Sequence, residues 1–183
     1  MNTGPRALVT YPVQAVLKDG TSIFMRLLGP DDREALRRGF EELSIRTRRL
    51  RFLALQDRLT ESQLTYLTNI DNQDHLALGA FDTGHDAPKC IGVARYIRLS
   101  KEPDTAEFAV TVIDAYQGRG VGRLLCELLI EVAQEHAIKT FTGYISQENA
   151  SLVELLKQLG ARSRLEDGHL MRIDLDLPPI APA

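Results

Sequence analysis

No apolar run in this chain approaches the roughly 20 residues that cross a bilayer, so a membrane-spanning segment is not expected. The opening residues Met1-Asn2-Thr3-Gly4-Pro5-Arg6 lack the charged and apolar regions of a secretory signal. The reading is therefore cytoplasmic, with no membrane partner. Excess positive charge is also missing. Twenty-two Lys and Arg stand against 25 Asp and Glu, a net charge of -3, which argues against a general nucleic-acid binder. Cysteine is scarce: the two residues, Cys90 and Cys126, sit in apolar surroundings without a CxxC pair or a histidine-rich neighbourhood. Buried free thiols are expected there, and no metal site. Internal repeats and an interdomain linker are absent too. With 183 residues, 44% of them hydrophobic, the chain is long enough for one well-formed core and short for two.

What remains is an alternating pattern of strands and helices. Val13 to Leu17 and Ser22 to Leu27 read as strands joined at Lys18-Asp19-Gly20. Asp31 or Asp32 is placed to cap a helix running to about Leu43, and Thr60 with Gln63 forms a capping box before a second helix. Strands follow at His75 to Phe81, Cys90 to Ile97 and Ala106 to Val112. A helix from Val121 to His136, a strand from Lys139 to Tyr144, a helix from Ala150 to Leu159 and a final hairpin complete the pattern. Three consecutive central strands suggest a mixed sheet in an α/β fold. The domain is expected over residues 13–176, after a flexible segment 1–12 and before a proline-rich tail 177–183, where proline removes ladder donors.

The segment Gln117-Gly118-Arg119-Gly120-Val121-Gly122 carries the chemistry. It joins a strand, with Phe108, Val110 and Val112 on one face and Glu107, Ala109 and Thr111 on the other, to an amphipathic helix with Val121, Leu124, Leu125, Leu128 and Val132 at helical spacing. Glycines at such a turn let an anion approach the free amides of the helix N-terminus, and Arg119 and Arg123 supply positive charge nearby. Two nucleotide loops are excluded by spacing. A phosphate loop of the Walker type needs Gly-Lys-Ser/Thr, but Gly122 is followed by Arg123-Leu124. The dinucleotide fingerprint needs a third glycine where Leu125 stands.

Gln117, Gly120 and Gly122 resemble, residue by residue, the acyl-CoA-binding motif Gln/Arg-x-x-Gly-x-Gly/Ala of the GNAT superfamily of N-acetyltransferases. The likeness continues through Glu107 upstream and Ile145-Ser146-Gln147-Glu148-Asn149-Ala150 downstream. A narrower pattern is similar to bacterial protein lysine acetyltransferases acting on acyl-CoA synthetases. It rests on Leu17-Lys18-Asp19-Gly20, on Ser44 to Phe52, and on Ala106 to Val110. The resemblance implies a single-domain GNAT fold: a mixed, mostly antiparallel sheet of about seven strands flanked by helices, with two central parallel strands splayed. It further implies acetyl-CoA as co-substrate, bound by Val110, Val112, Gln117, Gly118, Arg119, Gly120, Val121, Gly122, Arg123 and Asn149.

Amine acetylation then needs a base, an oxyanion donor and a tolerable leaving group. Glu107 is the candidate base, with partial burial expected to tune it. A backbone amide near Val110 to Val112 is the candidate donor. Many GNAT enzymes carry a tyrosine seven residues after the asparagine, where this chain has Leu156; Tyr144 and Ser146 are the nearby substitutes. Asn149 also suits a helix cap. Arg33, Arg37, Arg38, Arg46, Arg48, Arg49 and Arg51 are read as a solvated helix face among acidic residues. His75 reads as a loop residue, and His136 as a helix-end residue favoured by the dipole. The expected acceptor is a protein lysine, on a protein such as an acyl-CoA synthetase, with a small-molecule amine as the alternative. A non-catalytic acyl-CoA sensor is the reading from another class. Fused regulatory modules of the kind such relatives carry are not expected within 183 residues, and oligomeric state is left open.

Overall fold

The computed structural model describes residues 9–53 and 56–178. Most of the expected N-terminal segment and proline-rich tail lies outside the described residues. The strands are β1 (Val13–Val16), β2 (Ser22–Leu27), β3 (His75–Asp82), β4 (Lys89–Leu99), β5 (Glu102–Val112), β6 (Thr140–Ser146), β7 (Arg162–Asp167) and β8 (Leu170–Asp176). The α-helices are α1 (Arg33–Glu41), α2 (Ile45–Phe52), α3 (Glu61–Thr68), α4 (Val121–Glu135) and α5 (Ala150–Gln158). The sheet has eight strands in the order β1-β2-β3-β4-β5-β6-β8-β7, the number in the sequence pattern and one more than the about seven that the resemblance implied. Every pairing is antiparallel except β5 with β6. Among the described residues, no helix is long and apolar enough to cross a membrane.

That parallel pair is short. It pairs Thr105 with Thr140, Ala106 with Phe141 and Glu107 with Thr142, after which β5 runs to Val112 and β6 to Ser146 without pairing each other. The two central strands therefore part just beyond Glu107. Gly143 stands at the point of parting, where an added Cβ would lie 3.3 Å from the Phe108 carbonyl oxygen. Below the split, Phe108 stacks on Phe141 and Phe141 lies against Tyr96, closing the core on the α4 side. Val121, Leu125, Leu128, Leu129 and Val132 of α4 are buried there, as their spacing requires. On the opposite face α1, α2 and α3 cover β4 and β5.

The capping box before α3 forms as its sequence implies. Gln63 N donates to Thr60 Oγ1 at 3.2 Å, and Thr60 N donates to Gln63 Oε1 at 2.9 Å. The cap expected for α1 does not form. Asp32 makes no side-chain cap to that helix; its buried carboxylate accepts both Arg26 terminal nitrogens at 2.7 and 2.8 Å and Gly29 N at 2.9 Å. Burial pushes its pKa up, but Arg26 and the Gly29 amide outweigh that and hold it below the ordinary 3.8. A depressed carboxylate pKa stabilises the fold above the unfolded value, and that stability is lost as pH falls through the folded one. Asp32→Asn is accordingly expected to destabilise the protein at neutral pH, with the difference from wild type shrinking below about pH 4 in urea titrations.

Cys90 and Cys126 are buried and unpaired, and burial pushes both thiols up to about 12. Among the described residues no cluster of His, Cys, Asp or Glu suits a metal ion.

Candidate active site

The gap between β5 and β6 is lined by main chain. Ile113 N donates to Ile91 O on β4 at 3.0 Å, whereas the Val112 carbonyl is reached from the other side by Gln117 Nε2 at 3.0 Å. Alternate residues of a strand aim their backbone groups the same way, so Val110 shares the gap side with Val112. Side chains divide as the strand pattern implies. Val110 and Val112 pair with Ala94 and Gly92 on the α4 face, while Glu107, Ala109 and Thr111 face the layer of α1, α2 and α3.

At the end of β5 the chain turns through Gly118 (φ 73°) and Gly120 (φ 100°) into α4. These left-handed angles are what residues with a Cβ resist. Gly120 is the N-cap and offers no side chain. The first intrahelical bond is Leu124 N to Gly120 O at 3.1 Å, which leaves the Val121, Gly122 and Arg123 amides without helical acceptors. Such an end suits an anion. Gly122 points elsewhere: a Cβ there would lie 3.7 Å from Val112 Cγ2 and 3.8 Å from Leu155 Cδ2, in the seam beside the gap.

The two arginines of the turn are already engaged. Arg119 pairs with Asp19 at 2.8 Å and lies 4.8 Å over the Tyr116 ring; Arg123 pairs with Glu127 at 3.3 Å and donates to Gln158. Exposed pairs of this kind are worth little, so either guanidinium can turn to a stronger anion. Asn149 caps α5 by accepting Leu152 N at 3.4 Å, so its structural reading is realised. Leu156 is buried in the core. Tyr144 is exposed, and Ser146 is buried with its Oγ accepting Glu148 N at 3.2 Å.

Glu107 is exposed, in contrast to the partial burial expected for it. The strand ends at this point of its pairing with β6, so the side chain stands at the open mouth of the split. The helix nearest that mouth, α2, was not distinguished from α1 in the sequence. Ser44 caps it, and Asp114 accepts Ser44 N at 2.9 Å, Ser44 Oγ at 2.7 Å and Thr47 Oγ1 at 2.9 Å. From there α2 reaches Glu148, whose carboxylate pairs with Arg49 and whose carbonyl accepts Arg46 at 3.1 Å. The helix thus bridges the loop after β5 and the loop after β6. The Ser44-x-x-Thr47 spacing was its one available start signal.

This arrangement corrects the reading of the arginine-rich segment as one solvated face. Arg33, Arg37 and Arg38 do make surface pairs with Glu61 and Glu34. Arg48 instead donates to the Asp57 and Glu41 carbonyls and lies over Phe40. Arg51 is half-buried; burial pushes its pKa down while the charge of Glu107 pulls the other way. His75 opens β3 as a sheet residue, with Nε2 3.1 Å from Arg95. Burial and the charge of Arg95 push its pKa down. His136 caps the end of α4 and its Nδ1 lies 2.6 Å from the Tyr96 hydroxyl.

The family model described as "Acetyltransferase (GNAT) family" matches residues 37–161. Acetyltransferase Pat of Mycolicibacterium smegmatis is 30% identical over 169 residues, covering 92% of this chain and 50% of that protein. The chain thus spans half the length of that relative. Acetyltransferase PA5475 of Pseudomonas aeruginosa is 32% identical over 144 residues, 79% of this chain and 77% of the relative. The solved GNAT domain of S. lividans PAT superposes with a TM-score of 0.83 at 29% identity, covering 91% of this chain and 97% of that domain.

Proposed function

Since the chain belongs to the GNAT acetyltransferase family, we propose that it transfers acetyl from acetyl-CoA to a primary amine, that of a protein lysine, by direct attack with Glu107 as general base. The observation that carries this reading is the parting of β5 and β6 immediately beyond Glu107. It leaves a backbone-lined gap that ends at an uncapped glycine turn. Main-chain groups of Val110 and Val112 on the gap side suit the amides of a pantetheine arm, as an added strand would. The turn from Gly118 to Arg123 suits its pyrophosphate, with Gln117 holding the strand end and Asn149 at the far wall.

A lysine-like amine has a pKa near 10.4 and arrives protonated. Because Glu107 is exposed, proton removal runs through an intervening water, and the acceptor reaches the carboxylate from solvent. The same exposure favours an amine on a protein surface, since a folded partner such as an acyl-CoA synthetase can present it without entering the molecule. A backbone amide near Val110 to Val112 stabilises the oxyanion. Thiolate departure needs no dedicated acid, given a free thiol pKa near 8.5. Tyr144 is the exposed hydroxyl on the strand across the gap.

A second reading, a small-molecule amine as acceptor, is favoured by one observation: a partly open cavity beside the β5 face that carries Glu107 offers room for the remote, non-reacting end of such a molecule. Transfer of labelled acetyl from acetyl-CoA in a cell extract, sorted by size, separates the two. Label in a few discrete protein bands supports the protein lysine. Label confined to small molecules makes the second reading correct, and no transfer to either fraction removes the acetyltransfer proposal.

A further inference from the structure

The cavity between α1, α2, α3 and the sheet is mainly apolar, and the charged groups in its lining are two guanidiniums; Thr111 and Cys90 add a hydroxyl and a thiol. Leu36, Phe40, Phe52 and Leu67 contribute walls, and Arg51 and Arg95 both line it. Arg95 is 5% exposed. Its partners are uncharged: both terminal nitrogens donate to the Leu67 carbonyl at 3.3 Å, and one lies 3.1 Å from His75 Nε2. Arg51 rests 4.9 Å over the Phe52 ring. Among the described residues neither guanidinium has a carboxylate within ion-pair distance, although the charge of Glu107 acts on Arg51. Burial, with the positive charge of Arg51 added, holds Arg95 down to about 10. Two like charges lining one cavity, each desolvated and neither directly ion-paired, constitute an electrostatic cost that an anion would reduce.

We propose that this cavity binds a carboxylate at the end of a short chain, brought by one of the two substrates of acyl transfer. The guanidinium fork matches a carboxylate's two oxygens. Size sets the rest: the cavity is about 60 Å³, well under the roughly 150 Å³ that admits a benzene ring, so only a small terminal group enters. Position sets the chain length. Ala109 and Thr111 of β5 line the cavity on the same face as Glu107, and two residues of strand span about 7 Å. The carboxylate thus sits one short chain away from the reacting amine. The same guanidiniums repel an ammonium group, so the cavity is not the seat of the amine itself. This inference rests on the acyl-transfer reading only in naming the carrier, which is either an amino acid acceptor or a carboxyl-terminated acyl group.

The site is tested without catalysis. Thermal unfolding of the intact protein is followed with glutarate and with glutaramide at matched ionic strength, in the absence of acetyl-CoA. Glutarate is expected to raise Tm by about 2 °C, glutaramide to have no effect, and Arg51→Gln to abolish the shift. Arg95→Lys, which keeps the charge and loses the fork, is expected to reduce it. Equal shifts from both compounds, or a glutarate shift unchanged in Arg51→Gln, would overturn the site. Its carrier is then read by transfer assays comparing β-alanine with β-alaninamide, and succinyl-CoA with butyryl-CoA on one fixed amine. A preference of about tenfold or more for the carboxylate in the first pair assigns the acceptor, and in the second the acyl group. No preference in either overturns the substrate assignment. Complete absence of transfer with every donor counts against the acyl-transfer reading, whereas the glutarate shift is unaffected by that outcome.

Discussion

Glu107→Gln is expected to lower turnover by about two to four powers of ten while leaving acetyl-CoA affinity within about twofold. The substitution keeps the shape of the side chain and removes only its capacity to take a proton. In this structure the residue is well suited to such a test, because it stands exposed at the end of the β5 and β6 pairing. Its substitution opens no cavity, but it withdraws the charge that acts on Arg51, so thermal unfolding of the variant is measured beside the kinetics, and with Tm unchanged any kinetic loss belongs to the chemistry. The backbone of Val110 and Val112 and the glycine turn, which are assigned to the co-substrate, are untouched. Steady-state kinetics beside calorimetric titration with acetyl-CoA separate the two effects. Turnover near wild type would show that Glu107 is not the base, and parallel loss of affinity would show that it belongs to the co-substrate site instead.

Much of this architecture could be read from the chain because the relevant signals are local. The spacing of Leu125, Leu128 and Val132 defines α4, and Thr60 with Gln63 defines the start of α3 through bonds three residues long. The turn at Gly118 and Gly120 was legible for the same reason, since positive φ leaves its mark in the residue type itself. The parting of β5 from β6 was available only through resemblance, as no residue pattern encodes where a parallel pair stops. Features held by distant partners stayed hidden. The start of α2 is fastened to Asp114, 70 positions away from Ser44, and its middle to Glu148, 99 positions away from Arg49. Its seven-arginine neighbourhood therefore looked like one charged surface, while the folded helix aims Arg51 inward. Arg95 was masked by the strand around it, where a lone cation among Val93, Ala94 and Tyr96 gives no hint that it is 5% exposed. Asp32 was read as a cap because it precedes a helix; Arg26, on the preceding strand, offers its carboxylate two charged hydrogen bonds instead.

Gly120→Asp should weaken acetyl-CoA binding by at least about two powers of ten, from two separable causes. The first is conformational. Gly120 has a φ of 100°, outside the narrow left-handed region that even aspartate tolerates, and holding a residue with a Cβ there costs on the order of 1–3 kcal/mol. The second is electrostatic. A Cβ at this position meets nothing within 4 Å, so the carboxylate would enter the open side of the turn, where the unpaired Val121, Gly122 and Arg123 amides converge. An aspartate at a helix N-cap is ordinarily favourable because it accepts those amides. Here that same preference would make it occupy the anion site and repel a pyrophosphate. Gly120→Ala isolates the first cause, and its binding loss is expected to fall well short of that in Gly120→Asp. Gly122→Asp tests the neighbouring seam, because its Cβ would face Val112 and Leu155 and block the gap instead of the turn. Equilibrium binding of acetyl-CoA and of its dephosphorylated pantetheine fragment distinguishes these positions. Gly120→Asp is expected to penalise only the ligand that carries the pyrophosphate, and Gly122→Asp to penalise both. Normal acetyl-CoA binding by Gly120→Asp would mean that the anion lies elsewhere and that the uncapped start of α4 has no part in holding it.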